Sequence, residues 1–233
     1  MGWIDREPPE WSELLRRQAA PRTGLHCTDL ISCPRRRAAI ALDTWPVELK
    51  LLEARLFGNI LHGARAGINP ETSDVRGFGK LFGYSVVGSV DRMEREPDGR
   101  AFTCDYKTGE EDKRGRLPEA PYPAQVFQQE AYRYLLNNDS TIKTSGWRIY
   151  YRRNGGWKCY EHVGPVWTED QLGDFKPGDG RYTVRDIAEL AMTVTDPALC
   201  PMVGETIPIG KGTSCDYCEV AGPCKAAGLE IEL

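Results

Sequence analysis

The sequence has no long hydrophobic run, and this absence argues against a membrane protein. No stretch of its 233 residues approaches the roughly 18 consecutive apolar residues that span a bilayer. The polar first seven residues (MGWIDRE) lack the apolar core of a signal peptide. We therefore expect a cytoplasmic protein without a membrane partner, in a prokaryotic cell or, for a virus-encoded chain, in the host cell.

An excess of basic residues is also missing. The net charge is −4 and the sequence pI is about 5.6, so no global basic field points to nucleic acid. Local clusters can still bind phosphates, although a single cluster of this kind is more often just a solvated face. The candidate DNA-binding residues in such clusters are Arg35, Arg36, Arg152 and Arg153.

Neither a G-x-x-x-x-G-K nucleotide-binding loop nor an internal repeat occurs. What is present, with 40% hydrophobic and 27% charged residues, describes one soluble folded domain with a short appended module. Periodicity and turn residues predict helices over 9–20, from Pro34 onward, over 47–66, 124–136 and 183–192, and hairpins from 80–93 with 100–107 and from 147–151 with 157–163. This order predicts an α/β fold with a central mixed sheet flanked by helices.

One acid-x-Lys triplet, Asp105-Tyr106-Lys107, ends a β-rich run. The same pattern recurs at 48–50, 111–113 and 174–176, so the triplet alone carries little weight. On a strand, however, residues 105 and 107 point to one face, and Asp91 belongs to the partner run of the hairpin. Two carboxylates brought together favour a divalent cation between them.

Phosphodiester hydrolysis needs these residue types. Mg²⁺ or Mn²⁺ held by Asp91 and Asp105 would polarise a phosphate and lower the pKa of a bound water, while Lys107 would position that water or neutralise developing charge. His62 could add a nitrogen ligand. Gln128 and Tyr132, four residues apart on a predicted helix, could orient Lys107 and the nucleic acid, although an ordinary amphipathic helix explains their spacing as well.

Three of the eight cysteines lie close together near the end of the chain, as Cys215, Cys218 and Cys224. This C-x2-C-x5-C spacing predicts a bound inorganic centre in a tail without regular structure. The proposed fourth ligand is Cys33, which precedes Pro34. Cys27 and Cys200 are the alternatives for that position, and a zinc site on the same thiolates remains open. The other two cysteines, at positions 104 and 159, are expected to be small apolar residues.

Together these motifs resemble the Cas-four family of CRISPR-associated, RecB-like nucleases. The resemblance covers about residues 26–224. It rests on six motifs in the family's order, which are TDLISCPRR at 28–36, GNILH at 58–62, GSVD at 88–91, DYKTG at 105–109, Gln128 with Tyr132, and the last three cysteines.

The resemblance implies a restriction-endonuclease-like core of the PD-(D/E)XK type, dependence on Mg²⁺ or Mn²⁺, and a 4Fe-4S cluster on Cys33, Cys215, Cys218 and Cys224. It further implies cleavage of single-stranded DNA, often as an exonuclease, and a role in CRISPR adaptation, a form of antiviral defence, with an integrase as partner. Self-association into a homo-oligomer is left open. The resemblance divides the chain into an N-terminal extension (1–25), the first part of an iron–sulfur module (26–46), the nuclease core (47–197) and the C-terminal cluster segment (198–233).

Two other classes of function are the alternatives. A catalytically idle DNA-binding scaffold would keep the cluster but lose a catalytic ligand, whereas His62, Asp91, Asp105 and Lys107 are all present. A zinc-stapled protein-interaction domain would explain the cysteines but not the carboxylate hairpin. The sequence therefore favours the enzyme.

Overall fold

The computed structural model describes residues 24–42, 73–107, 117–139, 142–153, 156–201, 204, 207–209, 212–218 and 220–229. The strands are β1 (Leu25–His26), β2 (Ser73–Leu81), β3 (Tyr84–Arg95), β4 (Ala101–Lys107), β5 (Gly146–Arg153), β6 (Gly156–Val163), β7 (Pro208–Ile209) and β8 (Gly212–Thr213). The helices are α1 (Pro34–Ala41), α2 (Pro123–Asp139), α3 (Glu169–Gly173), α4 (Val184–Thr193) and α5 (Ala221–Leu229). Short 3-10 turns cover Asp29–Ile31, Pro197–Leu199 and Ser214–Tyr217.

Six of these strands form one mixed sheet, as the alternation of helices and hairpins predicts. β3 is antiparallel to β2 along one side, while its other side pairs first with β1, in parallel, and then with β4, antiparallel. β4 and β5 are parallel, and β5 continues into the antiparallel hairpin with β6. The parallel step between β4 and β5 is bridged by α2, the connection that parallel neighbouring strands need.

The hairpin of β2 and β3 is absent from the sequence prediction, which treated 80–93 as one run. The two strands meet at a two-residue turn in which Phe82 has a φ of 56° and Gly83 a φ of 83°. Both values fit a type I′ turn, whose twist suits a hairpin. A bulky residue is rare at the first position of such a turn, which is why this turn had no clear sequence signal.

The main core lies between one face of the sheet and α2, with α3 and α4 beside it. Glycines in the strands let α2 come close. A Cβ atom at Gly88 would lie 2.6 Å from Cδ1 of Tyr132, and one at Gly77 would lie 3.0 Å from Cβ of Leu135. Because contacts this short exclude a side chain, the glycines fix the distance at which α2 presents its residues to the sheet.

A buried polar network also anchors α2. Arg133 and Glu130 are fully buried and form an ion pair with an Nη1 to Oε1 distance of 2.8 Å. Glu130 accepts a further hydrogen bond from Nε1 of Trp147, on β5, and Arg133 donates to the carbonyl oxygen of Gly164. A buried ion pair is tolerated only with such extra partners, so the network ties the helix to β5 and to the segment after β6.

The predicted elements within the described residues are largely present. The helix predicted over 124–136 spans Pro123–Asp139, and that predicted over 183–192 spans Val184–Thr193. The prediction of a tail without regular structure is wrong, because α5 covers Ala221–Leu229. The helices predicted over 9–20 and 47–66 lie outside the described residues. In the described part of the chain no helix is long and apolar enough to cross a membrane.

Candidate active site

The two predicted carboxylates meet where β3 and β4 separate. Their ladder pairs Arg92 with Cys104 and ends there, so Asp91 and Asp105 occupy the next pair of opposed positions, whose side chains share a face. Besides burial, the neighbouring Asp91 raises the pKa of the Asp105 carboxyl group, as expected for two carboxyl groups on one face. The backbone N–H of Tyr106 donates to Oδ2 of Asp91 at 3.0 Å, which fixes that carboxylate against the opening strand.

A change in the burial pattern of β3 marks the same point. Val86 and Val90 are buried, as is Met93, three residues further along. Strict alternation would bury every second residue. Because Met93 follows Val90 by three positions, the inward and outward pattern of β3 shifts by one residue around Asp91. The shift lets Asp91 face α2, as Val90 does, instead of pointing to the opposite side of the sheet.

Lys107 completes the arrangement as predicted. Its Nζ lies 2.8 Å from Oδ2 of Asp105, and both side chains are on the same face of β4. The Lys107 side chain is 23% exposed, whereas that of Asp105 is 6% exposed. The ammonium group therefore lies at the solvent edge of a carboxylate that is itself almost enclosed.

The electrostatics of the site are those of a strained acidic pair. Burial raises the pKa of Asp105 from 3.8 to about 6; the charge of Lys107 lowers it, and the neighbouring Asp91 raises it again. Oδ2 of Asp105 is buried and contacts Lys107 as an ion pair, without a well-aligned hydrogen bond from the described residues. A divalent cation would stabilise both carboxylates in their charged form, so the donor set fits one.

Gln128 and Tyr132 face this site from α2. Nε2 of Gln128 donates to the hydroxyl oxygen of Tyr132 at 2.5 Å, and both side chains are buried. Burial, followed by the charges of Cys27, Asp105 and Asp91, raises the pKa of the Tyr132 hydroxyl, which therefore stays protonated. The pair is thus a neutral hydrogen-bonding group beside the carboxylates, rather than a surface feature of the helix.

The third predicted metal ligand, His62, lies outside the described residues. Within the part of the chain that is described, no three His, Cys, Asp or Glu side chains are grouped closely enough to hold a metal ion. Asp91 and Asp105 form a pair on their own. The three-ligand site with His62 stays a prediction.

Two of the four predicted cluster cysteines, Cys33 and Cys215, approach each other from opposite ends of the chain. Cys33 precedes α1, as predicted from Pro34, and Cys215 lies in the 3-10 turn Ser214–Tyr217. A Cβ atom at Gly204 would lie 2.9 Å from Cβ of Cys33 and 3.1 Å from Sγ of Cys215. Because a side chain at position 204 would collide with these two cysteines, Gly204 allows Cys33 and Cys215 to come close to each other.

The remaining thiols of this region are nearby. Cys218 and Cys224 are buried, and the backbone N–H of Cys218 donates to the carbonyl oxygen of Cys215 at 3.3 Å. Cys200, a predicted alternative, is fully buried within the electrostatic influence of Cys33 and Cys224. Cys27, the other alternative, lies instead next to Gly88 and Tyr132. This position behind the acidic site had no signal in the sequence.

The candidate DNA-binding arginines differ in position. Arg152 is exposed at the end of β5, and Arg153 ends the same strand. Arg36 is half-buried. Arg35 is only 6% exposed, and its hydrogen bonds run into the protein, to Ala198, Cys200 and Cys224.

Comparisons with known proteins agree with this geometry. The family model described as the PD-(D/E)XK nuclease superfamily matches residues 10–225. The crystal structure of the protein SSO0001 superposes with a TM-score of 0.56 at 18% sequence identity, covering 92% of this chain and 95% of that one. No curated protein matches the sequence. At this identity the structural likeness shows the fold alone, whereas the family match spans nearly the whole chain.

Proposed function

Because the chain belongs to the PD-(D/E)XK nuclease superfamily, we propose that it is a Mg²⁺- or Mn²⁺-dependent deoxyribonuclease that cuts single-stranded DNA at Asp91, Asp105 and Lys107. Members of this superfamily are typically metal-dependent nucleases, and the mixed sheet flanked by helices is consistent with their restriction-endonuclease-like fold. The observation that carries the proposal is the pair of adjacent carboxylates with Lys107 2.8 Å from Asp105.

Each residue has a distinct task in the proposed reaction. The bound ion would supply the Lewis acid that polarises the scissile phosphate. Asp91 and Asp105 hold that ion, with His62 as the proposed third ligand. Lys107, at the solvent edge, orients the attacking water and neutralises charge that develops on the phosphate oxygens. The neutral Gln128 and Tyr132 pair orients the DNA or Lys107 without adding charge.

We also propose that Cys33, Cys215, Cys218 and Cys224 hold a 4Fe-4S cluster. The close approach of Cys33 and Cys215 at Gly204 and the burial of Cys218 and Cys224 support it. A brown preparation with broad visible absorption, and with iron in place of zinc by elemental analysis, is the expected result. A colourless preparation that contains zinc would contradict the cluster and leave the nuclease proposal intact.

The test of the nuclease is digestion of single-stranded DNA labelled at either end, by anaerobically purified protein with Mn²⁺ or Mg²⁺. Asp105→Ala and Lys107→Ala should each abolish cleavage. The matched controls are Asp174→Ala and Lys176→Ala, which alter a second acid-x-Lys triplet located after α3. These controls should cleave like the parent. Activity that survives in the Asp105 variant would disprove the assigned site.

The proposed biological role is the trimming of DNA ends before their integration in CRISPR adaptation. The resemblance to the Cas-four family motivates it, and an integrase would then be the partner. Deletion of the gene should change the length or the sequence context of newly acquired spacers. Unchanged acquisition, together with no binding to an integrase, would exclude this role while leaving the nuclease activity in place.

A further inference from the structure

Arg35 is a buried cation at the place where the two ends of the chain meet. It is the second residue of α1 and is 6% exposed. Its Nε donates to the carbonyl oxygen of Cys200 at 2.5 Å, and its Nη2 donates to that of Ala198 at 3.1 Å. Its Nη1 donates to Sγ of Cys224 at 3.7 Å. One guanidinium group thus links α1 to the Pro197–Leu199 turn and to α5.

The charge of Arg35 has no carboxylate partner among the described residues. Its neighbour on the same helix, Arg37, lies 3.5 Å from Oδ2 of Asp29. Arg133, which is also buried, is paired with Glu130. Burial of an isolated charge is strongly unfavourable, so a guanidinium enclosed in this way calls for a negative group beside it.

Among the described residues around Arg35, the groups that can become negative are thiols. Cys224 accepts a hydrogen bond from Arg35 directly, and Cys200 lies within the electrostatic influence of Arg35, Cys33 and Cys224. Cys33 immediately precedes α1. A thiol that binds a metal is deprotonated, so a thiolate centre would carry the negative charge that balances the guanidinium.

We propose that Arg35 is a positioning residue for the thiolate-bound iron centre, in which its Nη1–H donates to Sγ of Cys224 and its charge offsets that of the thiolates. This inference rests on the proposed cluster. Hydrogen bonds to the cluster sulfurs and a nearby positive charge favour the more negative, reduced state. Arg35 therefore raises the reduction potential of the centre and slows the loss of its iron, instead of binding DNA.

The test compares Arg35→Gln and Arg35→Lys with the parent, using full-length protein purified anaerobically. The readouts are iron and sulfide content, the visible spectrum, the reduction potential from a redox titration, and the rate at which a chelator removes iron. Arg35→Gln should shift the potential to a more negative value and lose iron about 10-fold faster, as is typical for groups that hydrogen-bond metal ligands. Arg35→Lys keeps the charge and should recover part of the potential.

The matched control is Arg37→Gln, on the same helix but paired with Asp29. It should leave the potential unchanged even if it lowers thermal stability, which separates a structural role from an electrostatic one. An Arg35→Gln protein with the parent's potential and iron-loss rate would overturn the inference. If Arg35→Gln does not fold, the Arg35→Lys variant decides. A reduction potential equal to the parent's, combined with faster iron loss, would support the role of the Nη1 hydrogen bond. An unchanged potential together with an unchanged iron-loss rate would contradict the inference.

The parent's own metal content distinguishes this inference from the proposals on which it rests. Zinc or no metal in the parent overturns the inference together with the proposed cluster. The nuclease proposal is judged separately, by the cleavage assay and the Asp105 variant. A parent that contains iron but cuts no DNA would leave the role of Arg35 in place and remove the nuclease.

Discussion

At the scale of single residues, Asp105 combines a requirement of the proposed chemistry with a cost to the fold. Its carboxyl group is buried next to Asp91, and the pKa rises from 3.8 to about 6. A raised pKa for an acid means that the folded protein disfavours the charged form. The free energy of unfolding therefore falls as the pH rises from about 3.8 to about 6. At neutral pH the full energetic cost of the buried, charged Asp105 carboxylate is present.

Asp105→Asn should therefore make the metal-free protein more stable while it abolishes cleavage. The rise in pKa, which already includes the opposing effect of Lys107, corresponds to about 3 kcal/mol, so we expect a gain of up to about 3 kcal/mol in the free energy of unfolding. Urea unfolding in EDTA at neutral pH measures this gain. The exposed Asp170→Asn serves as control and should change little. A less stable Asp105→Asn protein would contradict the strained pair.

The pH dependence of cleavage follows from the same residue. Below a pH of about 6 the Asp105 carboxyl group of the metal-free protein is protonated and cannot hold a cation, so cleavage should decrease as the pH falls through this range. Because the cation stabilises the charged form, a higher Mn²⁺ concentration should move the acid limb of the profile to lower pH. A limb that does not move with Mn²⁺ would assign the titration to another group.

At the scale of elements, α2 has to be held rigidly for Gln128 and Tyr132 to face the carboxylates. The buried pair of Glu130 and Arg133 holds it, with Trp147 as a third partner. Such a network stabilises the fold only when all of its partners are present, since one missing partner leaves a buried charge uncompensated.

Glu130→Gln should accordingly lower the free energy of unfolding by about 3–5 kcal/mol, because it leaves the Arg133 charge buried without its counter-charge. Chemical denaturation followed by tryptophan fluorescence measures the change. The double variant Glu130→Gln with Arg133→Met should be less destabilised than the single variant, because the orphaned charge is gone. Equal losses in the two proteins would mean that packing, and not charge, anchors the helix.

At the scale of the whole molecule, the first and last described segments pack on each other. α1 contacts the Pro197–Leu199 turn and α4, and Gly204 lies between Cys33 and Cys215. A metal centre on thiols from both segments would close most of the chain into one loop. Such a closure restricts the unfolded chain and so stabilises the fold as a whole.

Cys33→Ser should then lower the thermal midpoint of the entire protein by about 5 °C or more, since about 1 kcal/mol shifts a protein of this size by about 2–4 °C. Limited proteolysis should also release the C-terminal segment first. The control is Cys159→Ser, which changes an exposed cysteine on β6 and should leave the midpoint unchanged. Equal midpoints for the two variants would show that Cys33 links nothing.

The sequence by itself determined the mixed α/β architecture, both predicted hairpins and the grouping of Asp91, Asp105 and Lys107. These follow from local rules, because side-chain alternation places residues 105 and 107 on one face and a hairpin brings residue 91 opposite. The N-terminal edge of α1 at Cys33 follows from Pro34 in the same way. The roles of His62 and of the four-cysteine cluster remain predictions from the sequence.

The tertiary structure alone decided the features that depend on contacts between distant segments. The Phe82–Gly83 turn uses a backbone conformation that phenylalanine rarely adopts, so composition did not reveal it. The phase change at Asp91 depends on where β4 leaves β3. In the sequence, Arg35 is one member of a basic run. Only the packing of α1 on the C-terminal segment places its guanidinium next to Cys224. Local periodicity carries no information about a partner 189 residues away.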